Sequence, residues 1–532
     1  MYPNRFIPFA FLCLAPSLYS QAQEVPAKKQ ELPQNWHLLS PAKSGFYGVS
    51  NNEAYQFLDS LNIKPTKITV AVIDADLNVN HEDLKARVWK NPKPGSKGYP
   101  NDLNGWNFLG NKDGRNLLKT GTEAFREYKR LRPRFEKVQA SSLKTAAEQQ
   151  EYAYFLKLRK EVKIGAYIKF GAYLQQISDA FVAVDSFVRA SKPANEPRTS
   201  DILALKIEDP KLSDAYKIVQ GSMLKFKEES LWKEALAATV KESEVANERI
   251  KSLDDKAVPR DLIGDTYTLK DKYYGNANLY EAEVYHGTFV AGLIGAVRNN
   301  GIGIDGIADS VAIMGVRAVP DGDEYDKDVA LAIRYAVDNG AKLINMSFGK
   351  YISPNSEWVN DAVKYADKKG VLLFHAAGNE GLNVDSVSIY PSGMESATKR
   401  AANLIRVGAS DASGTAASIS NYGATQVDLF APGINITSTG LNNGYQTANG
   451  TSLSTPIVTG VAALIWSYFP KLSAREVRRI ILASVTSLKD NVGPVPGKGK
   501  RQVSFGQLSV TGGIVNAYQA VKMAQKSSQS KK

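Results

Sequence analysis

A doubly wound α/β fold, a parallel sheet with helices on both faces, is predicted for most of this chain, joined to a mainly α-helical insertion. Three observations predict it. Short runs of β-branched and aliphatic residues recur along the sequence. Helical patterns separate those runs. One long stretch carries helical composition only. Alternating strands and helices are the pattern of a parallel sheet covered on both sides, and functional groups in such sheets gather at the carboxyl ends of strands.

The elements follow in chain order. Residues 1–22 read as a secretory signal peptide, with a positive charge at Arg5, an apolar run over 6–18, and small residues Ser20 and Ala22 at the cleavage positions. The product is expected to be exported, to the periplasm or the extracellular space. The apolar run is too short for a permanent membrane span, and no later segment reaches that length. Cys13, the single cysteine, lies within it. Disulfides, a thiol nucleophile and thiolate metal sites are therefore excluded from the mature chain. Leu12 stands where a lipoprotein signal would carry a small residue. Residues 23–61 read as an N-terminal extension.

Residues 62–111 and 263–522 carry the α/β pattern. Residues 68–73 read ITVAVI, the texture of a strand buried on both faces. It returns at 311–316, 343–346, 371–374 and 404–407. Helical patterns cover 290–297, 328–339 and 356–369, the last two running into Gly340 and Gly370, residues suited to the left-handed cap. Residues 112–262 read as the helical insertion. Leu174, Ile177, Phe181, Val184 and Val188 share one helix face, and Tyr216, Val219, Met223 and Phe226 share another. Asp209 and Pro210 read as a cap and a first-turn proline. Residues 523–532, ending KSSQSKK, read as a flexible basic tail.

The 532 residues exceed one simple core, and 43% hydrophobic with 23% charged residues is a globular composition. The net charge of +12 is spread among acidic residues along helical stretches. It reads as solvated faces rather than a nucleic-acid footprint.

The chemistry-bearing residues sit at strand ends and helix starts. Of the four histidines, His37, His81, His286 and His375, only His286 opens a glycine-flanked run, HGTFVAG, leading into a helix. Alone it is equally an ordinary helix-start histidine. Asp74 ends the ITVAVI strand, where a carboxylate is costly unless paired; alone it reads as a turn or capping aspartate. Ser452, in NGTSLSTP, precedes an apolar helix whose N-terminus favours developing negative charge; alone it reads as a cap. GTSLS is not Gly-x-Ser-x-Gly, which disfavours the nucleophile elbow of α/β-hydrolases. Asn379, in AAGNEG after a strand, is an amide donor or a turn asparagine.

Taken together, VIDAD at Asp74, HGTFVAG at His286, AAGNEG at Asn379 and GTSLSTP at Ser452 resemble the motif set of the subtilisin-like serine proteases, in that family's chain order. The resemblance covers residues of about 60–110 and 275–470. It implies a subtilisin-like sheet and a serine endopeptidase. Asp74 would orient His286, His286 would take the proton of Ser452, and Ser452 would form an acyl-enzyme. Asn379 and the Ser452 N–H would hold the oxyanion. Ser347, Phe348 and Gly349 resemble the segment that pairs with substrate backbone. Polypeptide substrates, no nucleic acid, no membrane span and no catalytic cofactor are expected. The oligomeric state is left open.

The departures carry expectations too. Asp74-Ala75-Asp76 replaces the usual Asp-Thr-Gly or Asp-Ser-Gly, which makes Asp76 a rival for the orienting role. Phe289 replaces a family histidine that is not catalytic. Residues 23–61 are short for a folded inhibitory prodomain. The resemblance implies a structural calcium at Asp83 and Asn300, against the alternative of an Asn-Gly turn and a capping aspartate. The insertion returns to the chain just before His286. It is therefore expected either at the rim of the cleft, as a lid or substrate-selecting rim, or as an ornament packed away from it. A catalytically silent binding module is the competing reading of the whole chain.

Overall fold

The computed structural model describes residues 31–191, 196–207, 209–227, 229–251, 259–281, 283–396 and 399–530. The expected signal peptide, 1–22, lies outside them. The architecture below is that of residues 35–532, which form one compact unit.

Helices α1 (Pro41–Ser44) and α2 (Asn51–Ser60) precede β1 (Ile68–Asp74), β2 (Gly105–Asn107) and β3 (Lys119–Gly121). Among the described residues six α-helices follow: α3 (Glu123–Phe135), α4 (Ala146–Val162), α5 (Ile164–Ser191), α6 (Thr199–Leu203), α7 (Pro210–Ser222) and α8 (Trp232–Lys251). The chain then alternates. It runs through α9 (His286–Gly295), β4 (Val311–Arg317), β5 (Asp321–Gly322), α10 (Asp326–Asp338), β6 (Leu343–Met346), α11 (Ser356–Lys368), β7 (Leu372–Ala376) and β8 (Leu404–Ser410). It closes with β9 (Leu429–Pro432), β10 (Ile436–Thr439), β11 (Tyr445–Ala448), α12 (Thr451–Tyr468), α13 (Ala474–Ala483), β12 (Thr486–Ser487), β13 (Val492–Pro494), β14 (Gln502–Ser504), β15 (Gly513–Ile514) and α14 (Ala517–Gln529).

Among the described residues the main sheet has nine strands in the order β12-β15-β9-β8-β7-β6-β1-β4-β2. Every pairing in it is parallel except β12 with β15. Side chains alternate across it. Val70 and Val72 of β1 face a core with α9 and α12, while Ala71 and Ile73 face a core with α10 and α11. Burial on both faces is why the strands read as unbroken apolar runs. Gly340 and Gly370 end α10 and α11 with φ of +85° and +69°, as their positions predicted.

The helical stretch holds two small cores. Ile177, Phe181, Val184 and Val188 of α5 pack with Tyr216, Val219 and Met223 and with Trp232 of α8. Tyr128, Leu131 and Phe135 of α3 pack with Phe155 and Leu158 of α4 and with Ile352 from the sheet domain. A capping box at Thr145 and Glu148 starts α4.

Two expectations are corrected. Residues 35–61, read as an extension, are part of the main core, where Trp36, Leu38, Val49, Ala54 and Leu58 are buried. Residues 523–529, read as flexible tail, continue α14, because Ala520, Val521 and Ala524 form an apolar stripe against that core. The basic residues drew attention to the outer face of a helix whose inner face is buried.

Candidate active site

Asp74 closes β1, and its Oδ1 accepts the His286 Nδ1 hydrogen at 2.7 Å and the Ala75 N–H at 2.8 Å. Its carboxyl is buried, whereas the His286 side chain is 41% exposed. His37, His81 and His375 are all buried. His286 is thus the histidine whose ring is exposed to a reacting group. Protein packed around the ring favours its neutral form, but Asp74, and behind it Asp76, hold its pKa above the ordinary value.

Both Asp76 carboxylate oxygens bond the start of α9. Oδ1 accepts the Gly287 N–H at 2.8 Å and Oδ2 accepts the Thr288 hydroxyl at 2.5 Å. Tyr285, at the N-cap of α9, makes no side-chain cap bond. Asp76 supplies that cap from the strand side and sets negative charge at the helix N-terminus. Burial pushes its carboxyl up to about 7, the Thr288 bond offsets part of this, and Asp74 adds to it. A Cβ on Gly287 would lie 2.0 Å from the Asp76 carbonyl oxygen. Only glycine lets α9 start this close to the end of β1.

Ser452 is the second residue of α12, partly exposed between buried Thr451 and Leu453. Its N–H belongs to the first turn, whose N–H groups have no intrahelical acceptor. Its carbonyl would bond the N–H of residue 456, but that residue is Pro456, buried inside the helix. The Ser347 hydroxyl takes the place of the missing donor at 2.7 Å. Ser347 accepts from Asn345 Nδ2 at 2.9 Å, and Asn345 Oδ1 accepts from Thr459 at 3.0 Å. This buried chain ties the serine-bearing turn to the end of β6.

Asn379 follows β7. Its Oδ1 accepts the Thr451 N–H at 2.8 Å and the Thr451 hydroxyl at 3.0 Å. With the oxygen held, Nδ2 is the donor that the side chain has left to offer. The point a Cβ would occupy on Gly450 lies 3.0 Å from Ser452 Oγ and 3.6 Å from Asn379 Nδ2. Hydroxyl and amide therefore converge on the space that Gly450 leaves open.

His286, Asn379, Ser452, Ser347, Phe348 and Gly349 line one cleft of about 250 Å³. Gly322, Glu324 and Ile389 line it as well. A larger cavity of about 1250 Å³ between α3 and residues 259–267 contains none of the predicted catalytic groups. The sequence reading missed Thr451, Asn345, Thr459 and the job of Asp76. Pro456 was a usable signal for one of them, since a proline four residues after Ser452 must orphan the Ser452 carbonyl.

Asp83 and Asn300 are brought together, but as a hydrogen-bonded pair. Asp83 Oδ1 accepts from Asn300 Nδ2 at 2.8 Å and Oδ2 accepts the Ile304 N–H at 3.1 Å. A cation needs oxygen lone pairs, and here donors face both carboxylate oxygens. As arranged, these residues do not fit calcium. Among the described residues no cluster of three or more His, Cys, Asp or Glu could hold a metal.

The family model described as the subtilase family matches residues 66–502 of this chain. A thermophilic serine proteinase of Bacillus sp. (strain AK1) is 43% identical over 34% of this chain and 42% of its own length. Alkaline elastase YaB of Bacillus sp. (strain YaB) is 38% identical over 38% of this chain and 50% of its own. The chain thus spans half or less of the length of these two relatives. Subtilisin BL of Lederbergia lenta is 39% identical over 38% of this chain and 71% of its own. The solved structure of the prenylagaramide maturation protease PagA aligns at 28% identity over 45% of this chain and 82% of its own, with a TM-score of 0.37.

Proposed function

We propose that this chain, which belongs to the subtilase family, is an exported serine endopeptidase that cleaves peptide bonds through an acyl-enzyme. Asp74 holds one tautomer of His286 and stabilises the imidazolium. His286 Nε2 takes the proton of Ser452, and Ser452 Oγ attacks the peptide carbonyl. The oxyanion is held by Asn379 Nδ2 and the Ser452 N–H, helped by the α12 N-terminus. His286 then protonates the leaving amine, and water enters by the same route in reverse. The observation that carries this reading is the 2.7 Å Asp74–His286 bond opening onto a cleft shared with Ser452 and Asn379.

Ser347, Phe348 and Gly349 supply the backbone edge along which an extended polypeptide would lie. Pairing with main chain tolerates many sequences, so broad cleavage is expected. The test is hydrolysis of casein together with labelling by a serine-directed fluorophosphonate. Absence of both in the exported, matured protein would refute the reading.

Asn379→Ala is expected to lower kcat by about 10²–10³-fold at nearly constant KM. That magnitude is the one known for the oxyanion asparagine of subtilisin and is carried over here. The comparison of kcat with KM on a chromogenic peptide checks it, and an unchanged kcat removes Asn379 from the site.

Chelation supplies a second check. Because the Asp83 oxygens already accept N–H groups, EDTA is expected to leave both Tm and activity unchanged. A lower Tm restored by added calcium would instead mean that the Asn300 amide turns its oxygen to an ion at this loop.

A further inference from the structure

The cleft that holds Ser452 is lined by two segments that the helical stretch also touches. One segment contributes Gly322 and Glu324, and the other contributes Ser347, Phe348 and Gly349. Lys350, the next residue, is buried behind that lining, and its side chain ties the two segments together. Its buried ammonium donates to the Glu324 carbonyl at 2.7 Å and to Glu123 at 2.8 Å, and pairs with Asp326 at 2.8 Å. Glu123 is the first residue of α3, so the helical stretch itself completes the tie.

The same stretch also holds the Gly322 segment. Strand β3 takes one edge of β5, with Asp321 N–H on the Leu118 carbonyl at 2.7 Å and Asp323 N–H on the Gly121 carbonyl at 3.0 Å. Arg126 of α3 donates to the Asp323 carbonyl at 2.9 Å and pairs with Glu123 at 2.6 Å. Ile352, two residues past Lys350, is buried among Tyr128, Phe135 and Phe155 of α3 and α4. The exit of the stretch is anchored too. Arg260 pairs with Asp328 at 2.7 Å and with Asp265 at 2.8 Å, and lies 4.7 Å from the centre of the Tyr325 ring. Buried, multiply bonded charges of this kind are costly to separate, so the arrangement is a fixed wall and not a swinging lid.

We infer that α3 and α4, joined to the sheet through the Lys350–Glu123 cluster, form a stop at the Glu324 end of the cleft that limits how many substrate residues bind on that side of the scissile bond. The inference rests on the proteolytic reading above. Substrate residues beyond the stop gain no contacts and add nothing to transition-state binding.

The experiment uses two peptide series around one scissile bond, each extended from one to six residues on one side. Rates are normalised to fluorophosphonate-titrated sites, and each protein is judged by its own ratio of long to short substrate. In the wild type, one series should plateau after about three residues while the other keeps rising by several-fold, since each added contact contributes to kcat/KM only where it can form. Lys350→Ala, which removes the tying side chain, should release the plateau by about tenfold. Lys350→Met, which keeps the bulk, should retain it; Glu123 and Asp326 stay satisfied there through Arg126, Ser353 and Asn355. Two rising series in the wild type, or a plateau unchanged in Lys350→Ala, overturns the stop. Failure of the wild type to cleave or label any substrate is a separate result and strikes the proteolytic reading instead.

Discussion

Ser452→Ala is expected to abolish peptide hydrolysis and fluorophosphonate labelling while the protein stays folded. The loss in kcat should be about 10⁶-fold, the size known for removing the nucleophile of subtilisin and carried over here. The fold should survive because Ser452 Oγ points into the cleft and caps nothing. The contacts that fix this turn run through its backbone, by way of Ser347 to the Ser452 carbonyl and Thr451 to Asn379. A thermal melt within a few degrees of the wild type would confirm an intact core. Residual labelling of the variant would assign the nucleophile to another serine, and an unchanged rate would return the chain to the class of silent binding modules.

Asp74→Asn should lower kcat by about 10⁴-fold, the cost known for the same change in a serine-protease triad. An asparagine at 2.7 Å from Nδ1 can present an N–H and hold the ring in the wrong tautomer. Asp76→Asn should cost far less, about tenfold or below, because its amide oxygen can still accept the Gly287 N–H and cap α9. Its signature is in the pH profile. Hydrolysis needs neutral His286, so the rate climbs as pH rises through the imidazolium pKa, which Asp74 and Asp76 hold above its ordinary value. Removing the Asp76 charge destabilises the imidazolium, and the acid limb should move to lower pH by up to about one unit. Asp76 takes up its own proton near pH 7. The wild-type limb should therefore be shallower than a single titration, since protonating Asp76 withdraws its support for the imidazolium. A purely structural role for Asp76 would lower the rate without moving the limb. The opposite ranking of the two variants would pass the orienting role to Asp76.

The physical division between what was legible and what was not is clear at individual residues. Asp74, His286, Asn379 and Ser452 each lie in a short motif whose local conformation, strand end or helix start, is set by its immediate neighbours. The strand runs and the caps at Gly340 and Gly370 were legible for the same reason. The partners of Asp76 were not legible, because Gly287 and Thr288 are 211 and 212 positions away. Strand β3 was invisible because Lys119 and Gly121 on either side of Thr120 have little intrinsic strand character, and the segment pairs because β5 is beside it. The end of α14 looked like a basic tail because a charge count does not register the alanines on its inner face.

The amino-acid sequence by itself determined the family and the α/β alternation and singled out the candidate reacting groups, since these follow from short-range spacing and from residue chemistry. The tertiary structure alone decided how those groups are held: the Asp76 cap on the histidine helix, the Ser347 bond that makes good what Pro456 removes, and the Lys350 tie that the helical stretch completes. Each of these joins residues far apart along the chain. Buried polar and charged groups must find partners wherever the fold brings them, and no local pattern records which partner that will be.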